Sequence, residues 1–318
     1  MNLHDTAYWH ARAASLTISG QAYIDGSYCN AADGTTFAAH SPIDGRLLAN
    51  IAACGQADVD RAVAAARRSF EAGVWANLAP RERKARLLRL AALIEQDSET
   101  LALLETLDMG KPIRDALSFD LPETARCYAW YGEAIDKQYD EIAPTGPDVL
   151  ATITREPLGV VAAVVPWNYP LMMAAWKLAP ALAAGNSVVL KPAEQASLSA
   201  LRLAGLTEEE GIPPGSSTSC RDWVQSRGKR WVAMTTSIAW RSPDPRQPAS
   251  ALWSMQDSPT SSASGWSVEA SRLTSSLTIA RICRALPKSP HWPFSPTREK
   301  SALPARAFMC RPASMTVS

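Results

Sequence analysis

The stretch from 160 to 195 constrains the fold more than any other part of this chain. An apolar, β-branched run (Val160–Val165) comes first, and a second apolar run (Ser187–Leu190) lies near its end. Between them, Leu171–Ala184 has the composition of a buried helix, and Gly185 stands where a left-handed C-terminal cap is expected. Two buried strands joined by one helix make a βαβ unit, so the sequence predicts a parallel sheet.

Several classes of protein are excluded by simple patterns. Asn168, Lys177 and internal prolines interrupt the apolar runs before they reach the roughly 20 residues that a membrane-spanning helix needs. The six cysteines show no C-x-x-C spacing, which predicts reduced thiols and no metal site. The N-terminus has no charged-then-apolar signal pattern, so the expected location is the cytoplasm.

Polar residues follow both predicted strands at the point where each strand ends. Trp167 and Asn168 come after the first strand, and Lys191 and Glu194 come at the end of the second. One interpretation is that Asn168 caps the helix and that the two charged residues are solvated loop residues. The other is a binding site, because parallel α/β sheets bind ligands outside the carboxyl ends of their strands. The presence of two such clusters at adjacent strand ends favours the site.

The motifs PWNYP and KLAPALAAGNSVVLKPAEQ closely resemble the entry to the cofactor domain of NAD(P)-dependent aldehyde dehydrogenases. Further segments, among them LLETLDMGKPIRDA, extend the resemblance from about Tyr8 to Gly215. Within the family, the chain looks most like the γ-glutamyl-γ-aminobutyraldehyde dehydrogenases. The resemblance implies an α/β chain whose residues 1–215 form the N-terminal part of the aldehyde dehydrogenase fold. Its Rossmann-like parallel sheet is begun at 157–215 but incomplete, and an irregular tail follows at 216–318.

The chemistry implied by the resemblance is NAD-dependent oxidation of an aldehyde, of the aminoaldehyde type, to the carboxylic acid. In that family a cysteine thiolate attacks the aldehyde to give a thiohemiacetal, and a glutamate activates the water that releases the acid. By resemblance, the Asn168 amide would hold the developing oxyanion. Lys191 and Glu194 would hold the adenosine ribose. The remaining residues expected to contact the cofactor are Val164, Pro166 and Trp167.

The residues also bear on which cofactor is used. A carboxylate such as Glu194 accepts hydrogen bonds from both ribose hydroxyls but repels a 2′-phosphate, which favours NAD over NADP. No G-x-G-x-x-G motif follows the first strand, so the phosphates must be held differently from those in an ordinary Rossmann domain.

For the rest of the first 215 residues, the sequence predicts hairpins followed by helices. Residues 18–54 alternate apolar runs with turn signals such as Asp25-Gly26, which predicts β-hairpins. Helical periodicity then predicts helices from Asp58 to about Ala72 and from Pro80 onward, with a break at Gly110. The further helices predicted are Ile113–Ile135 and Ala196–Glu210.

The polar, β-leaning stretch Tyr139–Glu156 has no clear periodicity of its own. In the family that the chain resembles, it forms a strand pair that reaches a partner subunit, which implies a homo-oligomer. Neither the stretch nor the predicted small-molecule site indicates a nucleic-acid or membrane partner.

From Ser216 onward the composition changes. Residues 216–318 contain 14 Lys and Arg against five Asp and Glu, whereas the first 215 residues contain 18 and 26. Only two of the 16 glycines remain, but six of the 11 tryptophans fall here. Three interpretations are open: a disordered basic tail, an RNA-binding segment with stacking tryptophans, and a gene read in the wrong frame.

The frame interpretation is favoured because one constant shift in reading restores four family motifs in order. Trp266-Ser267 then permits the catalytic glutamate codon, and Ser301-Ala302 permits the cysteine codon. The chain as written would therefore lack the nucleophile and the base and would be an inactive fragment, able at most to associate or to contact the cofactor. Stopping the sheet after two core strands would also leave an open apolar edge and a partly uncovered helix.

Overall fold

A computed structural model describes residues 4–219 and the backbone of strand 237–240. All of these belong to one of two units into which the chain divides, the one that ends at Arg284. The helices are α1 (Thr6–Ser15), α2 (Gln56–Glu71), α3 (Pro80–Gln96), α4 (Ser98–Met109), α5 (Ile113–Asp115), α6 (Leu121–Ala134), α7 (Pro170–Ala183) and α8 (Leu198–Glu209). The strands are β1 (Ala22–Ile24), β2 (Ser27–Cys29), β3 (Thr36–His40), β4 (Leu47–Ala52), β5 (Glu141–Ala143), β6 (Ala151–Ile153), β7 (Val160–Val164), β8 (Ser187–Lys191), β9 (Ser217–Ser219) and β10 (Ser237–Trp240).

A six-stranded mixed sheet contains the predicted βαβ unit. Its strand order is β10-β7-β8-β9-β1-β2. Strands β7 and β8 run parallel with α7 between them, in a register that pairs Val160 with Ser187 and Val164 with Lys191. Strand β9 continues the parallel part beside β8, and β1 joins β9 antiparallel. The α/β fold with a Rossmann-like parallel centre is therefore confirmed, and the N-terminal hairpin β1–β2 completes one side of it.

The expected open apolar edge is wrong on both sides of the β7–β8 pair. Strand β10 pairs with β7 antiparallel from Val160–Trp240 to Ala163–Ser237, while β9 covers the far side of β8. Both β9 and β10 lie beyond Gly215, where the sequence predicts no strand. The rest of the predicted tail lies outside the described residues.

Helices cover both faces of the sheet. On one face, α3, α6 and α7 form a core around Leu87, Leu90 and Leu182, which also holds Val188 of β8. On the other face, α2 packs its alanines against Val189. Helix α7 is buried along most of its length, so the expectation that it would be partly uncovered is also wrong.

The helical prediction for 113–135 is confirmed in extent but not in continuity. A single π-helical turn at Ala116–Asp120 separates α5 from α6. Pro122 lies in the first turn of α6, where its missing N–H costs no hydrogen bond. Helix α1 is an additional finding, and the helical stretch predicted from Pro80 to the break at Gly110 is divided into α3 and α4. Helix α4 ends at Gly110, whose φ of 79° is the left-handed conformation that suits glycine.

Strand β9 is chemically unlike the strand it joins. Its register places Ser217, Thr218 and Ser219 beside Val188, Val189 and Leu190 of β8, and all six are buried. Central strands of parallel sheets are normally rich in Val, Ile and Leu. Among the residues with described side chains, the hydroxyls of Thr218 and Ser219 have no hydrogen-bond partner. A buried hydroxyl without a partner costs on the order of 1–3 kcal/mol.

Candidate functional site

The carboxyl ends of β7 and β8 lie side by side, as the sequence predicts. Val164 pairs with Lys191, and the Val165 N–H donates to the Lys191 carbonyl oxygen at 3.1 Å. The chain therefore leaves β7 directly beside the end of β8. Val164 and Pro166 are half-buried, and Trp167 is 53 % exposed.

Asn168 does not cap the helix that follows it. The N-cap position of α7 is Tyr169, and no side-chain hydrogen bond caps this helix at that position. Asn168 itself is exposed in the loop at the end of β7. The interpretation of Asn168 as a helix cap is therefore wrong. Its amide stands at the carboxyl edge of the sheet, where it can donate to a ligand atom.

Lys191 and Glu194 form an ion pair in the loop after β8. The Lys191 Nζ lies 2.8 Å from Glu194 Oε1. Only 3 % of Lys191 is exposed, against 25 % of the Glu194 side chain. Lys191 is thus not a solvated loop charge, since a buried ammonium requires partners of this kind. The exposed part of the Glu194 carboxylate can accept hydrogen bonds from hydroxyl groups of a ligand.

Two acidic residues of α4 hold the two loops, and the sequence interpretation did not include them. Glu105 Oε1 accepts from the Leu171 N–H at 3.0 Å, in the first turn of α7. Asp108 Oδ2 accepts from the N–H groups of Ser197 and Leu198, at 2.7 and 2.9 Å, at the start of α8. The signal was two acids three residues apart in the mostly apolar stretch Leu101–Met109, because charged residues are rarely buried without a partner.

Lys111 connects this support to the Asn168 loop. Its ammonium lies over the Tyr169 ring, 3.9 Å from the centroid, and forms an ion pair with buried Asp120. The pKa of Glu105 is raised to about 7, chiefly by burial; the Asp120 charge adds to the rise, whereas the hydrogen bond from the Leu171 N–H and the Lys111 charge oppose it. Burial also raises the pKa of Asp120, against the lowering effect of its hydrogen bond with Lys111.

The residues needed for covalent chemistry are not part of this arrangement. The predicted nucleophile and base positions, Ser301-Ala302 and Trp266-Ser267, lie outside the described residues. Within residues 4–219, Cys29, Cys54 and Cys127 form no disulfide with one another, and none of them belongs to the loops that follow β7 and β8. No three His, Cys, Asp or Glu side chains of the described part are grouped so that they could hold a metal ion. No helix of that part is long and apolar enough to cross a membrane.

Comparison with known proteins relates this arrangement to one family. Residues 28–233 match the model of the aldehyde dehydrogenase family, a match that runs past Gly215. The chain is 54 % identical over 215 residues to the NADP/NAD-dependent aldehyde dehydrogenase PuuC of Escherichia coli (strain K12), covering 68 % of this chain and 43 % of PuuC.

Two solved structures are similar over the same region. One is a γ-glutamyl-γ-aminobutyraldehyde dehydrogenase from Burkholderia cenocepacia, with 57 % identity and a TM-score of 0.67, covering 68 % of this chain and 44 % of that one. The other is an indole-3-acetaldehyde dehydrogenase in complex with NAD⁺, with 56 % identity and a TM-score of 0.69, covering 70 % and 45 %. The chain thus spans less than half the length of these relatives.

Proposed function

The chain belongs to the aldehyde dehydrogenase family, and on that premise we propose that its lineage carries out NAD-dependent oxidation of an aminoaldehyde to the carboxylic acid. The observation that carries the proposal is the pair of adjacent loops, one with Asn168 and the other with the Lys191–Glu194 ion pair. The aminoaldehyde class of substrate is supported by the 57 % sequence identity to the γ-glutamyl-γ-aminobutyraldehyde dehydrogenase. The proposed location is the cytoplasm.

Asn168 is proposed as the donor that stabilises the developing oxyanion. It is exposed at the carboxyl end of β7, while the loop around it is held by Glu105 and Lys111 through its neighbours Leu171 and Tyr169. A donor held in place before reaction stabilises a transition-state charge without having to reorganise. An amide suits this role because it donates a hydrogen bond without carrying a charge of its own.

Lys191 and Glu194 are proposed to hold the cofactor, and their chemistry fits a ribose. Glu194 offers carboxylate oxygens to the two hydroxyl groups, and the buried Lys191 ammonium fixes that carboxylate in position. When bound, NAD supplies the acceptor for the hydride of the substrate. Repulsion between Glu194 and a 2′-phosphate favours NAD over NADP. Val164, Pro166 and Trp167 would contact the cofactor from the end of β7.

We infer separately that the chain as written is an inactive fragment, because its second half is read out of frame. Strand β9 supports this inference within the described residues. It occupies a central position between β8 and β1, yet it consists of serine and threonine, and the buried hydroxyls of Thr218 and Ser219 have no partner among the described residues. Across Gly215–Arg221 the shifted frame permits V-F-N-V-V-P, which would supply mostly apolar residues at these positions, with one asparagine among them. The nucleophile and base would be lost in the same shift.

Two proteins test both proposals together: this chain, and the product of the same gene with one base restored near Gly215. NADH formation from an aminoaldehyde is measured for each. We expect no turnover from the chain as written and robust turnover from the restored protein. Turnover by the sequence-verified chain would refute the frame inference, whereas an inactive but well-folded restored protein would count against the enzymatic proposal.

Cofactor preference is tested in the restored protein by the variant Glu194→Ser. Removal of the carboxylate eliminates its repulsion of the 2′-phosphate, so the ratio of kcat/KM for NAD to that for NADP should fall. The control is Glu141→Ser in the β5–β6 hairpin, which should leave the ratio unchanged. An unchanged ratio in Glu194→Ser would show that Glu194 does not bind the ribose.

For the fragment, association through the β5–β6 hairpin is the remaining proposed activity. The hairpin pairs Glu141–Ala143 with Ala151–Ile153, and it exposes apolar side chains that include Ile142 and Leu150. Exposed apolar patches of this kind are typical of interaction sites. Light scattering of the chain and of an Ile142→Ser/Leu150→Ser variant tests the proposal, since only the parent chain should form oligomers.

A further inference from the structure

Helices α7 and α8 begin directly after the two site loops, and neither of them is capped by the side chain at its own N-cap position. The N-cap residues are Tyr169 and Ser197, and neither makes a side-chain capping hydrogen bond. The first N–H groups of a helix have no partner within the helix, so they must be satisfied from elsewhere when they are buried. In both helices the partner is a carboxylate of α4.

The two carboxylates serve different loops. Glu105 accepts from Leu171, three residues after Asn168, and Asp108 accepts from Ser197 and Leu198, just after the Lys191–Glu194 loop. Both acids are buried and stand on the same face of α4, three residues apart. A negative charge at a helix N-terminus also interacts favourably with the helix dipole.

We propose that Glu105 and Asp108 are positioning residues: Glu105 fixes the Asn168 loop through α7, and Asp108 fixes the Lys191–Glu194 loop through α8. This inference rests on the proposed function for its catalytic meaning, but its structural content is independent of activity. One turn of one helix thereby sets the position of the oxyanion donor relative to that of the ribose-binding pair. Neither acid contacts substrate in this arrangement, since both are turned toward helix N-termini.

The test is amide hydrogen exchange of the full chain, followed by mass spectrometry of peptides that cover 166–175 and 192–201. Glu105→Leu should accelerate exchange only in the first segment and Asp108→Ala only in the second. Loss of the acceptor leaves a buried N–H unpaired, which corresponds to acceleration of about 5- to 100-fold. The conservative variants Glu105→Gln and Asp108→Asn keep an oxygen acceptor and should restore most of the protection.

Two results distinguish positioning from a general loss of stability. Each single variant accelerates exchange in its own segment only, and the amide variants restore the protection. Acceleration of both segments by either single variant, or failure of the amide variants to restore protection, would overturn the proposal. If Glu105→Leu or Asp108→Ala does not fold, the amide variants alone test the proposal. At pH 8, where the Glu105 carboxyl is ionised, each removes a charge at a helix N-terminus and should accelerate its own segment by about 2- to 5-fold and leave the other unchanged.

A second readout, the binding of NAD, connects the inference to the proposed function. Binding of NAD to the protein with the frame restored should weaken more in Asp108→Ala than in Glu105→Leu, because the former releases the Lys191–Glu194 pair and the latter only the loop with Pro166 and Trp167. Absence of NAD binding in the protein with the frame restored would refute the proposed cofactor role. The exchange pattern would still decide whether the two acids hold their loops separately.

Discussion

Strands β8 and β9 are neighbours in one sheet, run in the same direction and are equally buried, yet their side chains have opposite chemistry. In β8, Val188, Val189 and Leu190 pack into the two helical layers. In β9, the three residues paired with them are Ser217, Thr218 and Ser219. The backbone hydrogen bonds of the sheet are made in both strands, but only β8 contributes apolar contacts.

The difference shows that backbone pairing and side-chain packing are separate requirements of a sheet. Strand β9 meets the first, because any residue except proline can join a ladder. It does not meet the second, since the hydroxyls of Thr218 and Ser219 are buried away from water and no described group replaces the hydrogen bonds that water would make. The proposed change of reading frame near Gly215 would explain how a strand position can persist while its residue types do not.

The largest expected effect concerns the intact side of the sheet, at the end of β7. In the protein with the frame restored, Asn168→Ala should lower kcat about 10²- to 10³-fold, as expected for one oxyanion donor. Steady-state kinetics and a separate titration with NAD provide the measurement. Equal losses in turnover and in NAD affinity would show that Asn168 acts on the structure of the loop and not on the oxyanion.

The next effect concerns the buried acids that support that side. Because folding raises the pKa of Glu105 from 4.5 to about 7, the folded state binds more protons than the unfolded state between these values. The free energy of unfolding should therefore be highest below the unfolded pKa and fall as the pH rises through 7, by on the order of 2–3 kcal/mol from this group. Denaturant titrations between pH 5 and 8 should show a flatter pH dependence in Glu105→Gln. An unchanged slope would mean that Glu105 keeps an ordinary pKa.

A third prediction concerns the introduction into β8 of a buried hydroxyl like those of β9. Val189→Thr introduces a buried hydroxyl and should lower the free energy of unfolding by about 1–3 kcal/mol. Val149→Thr is the matched control, because Val149 is exposed and the same change there should be nearly neutral. Equal effects at both positions in urea titrations would contradict the burial of β8.

The smallest expected effect comes from the reverse change, in which an apolar side chain like those of β8 is introduced into β9. Thr218→Val removes an unpaired buried hydroxyl with little change in volume, and it should raise the free energy of unfolding by about 1 kcal/mol. Thr152→Val, on the exposed face of the β5–β6 hairpin, serves as the control. A loss of stability in Thr218→Val would show that the hydroxyl has a partner and would weaken the case that β9 is out of place.

Much of the architecture could be predicted because it depends on local pattern. The β7–α7–β8 unit, the hairpins before Cys54 and the helices around Ala66 and Leu90 follow from periodicity and from turn residues. The π-helical turn at Ala116–Asp120 could not be predicted, since it depends on how α5 and α6 meet their neighbours. The pairing of β10 with β7 was also missed, because an edge strand can be taken from any part of the chain.

The sequence by itself determined the family, the βαβ unit and the positions of Asn168, Lys191 and Glu194 at adjacent strand ends, because these depend on residues close together in the chain. Only the tertiary structure decided which groups hold those residues in place. Glu105 lies 66 residues before Leu171, and Asp108 lies 89 residues before Ser197. Nothing in local pattern specifies such partners, because a buried carboxylate is satisfied by whichever N–H groups folding brings to it.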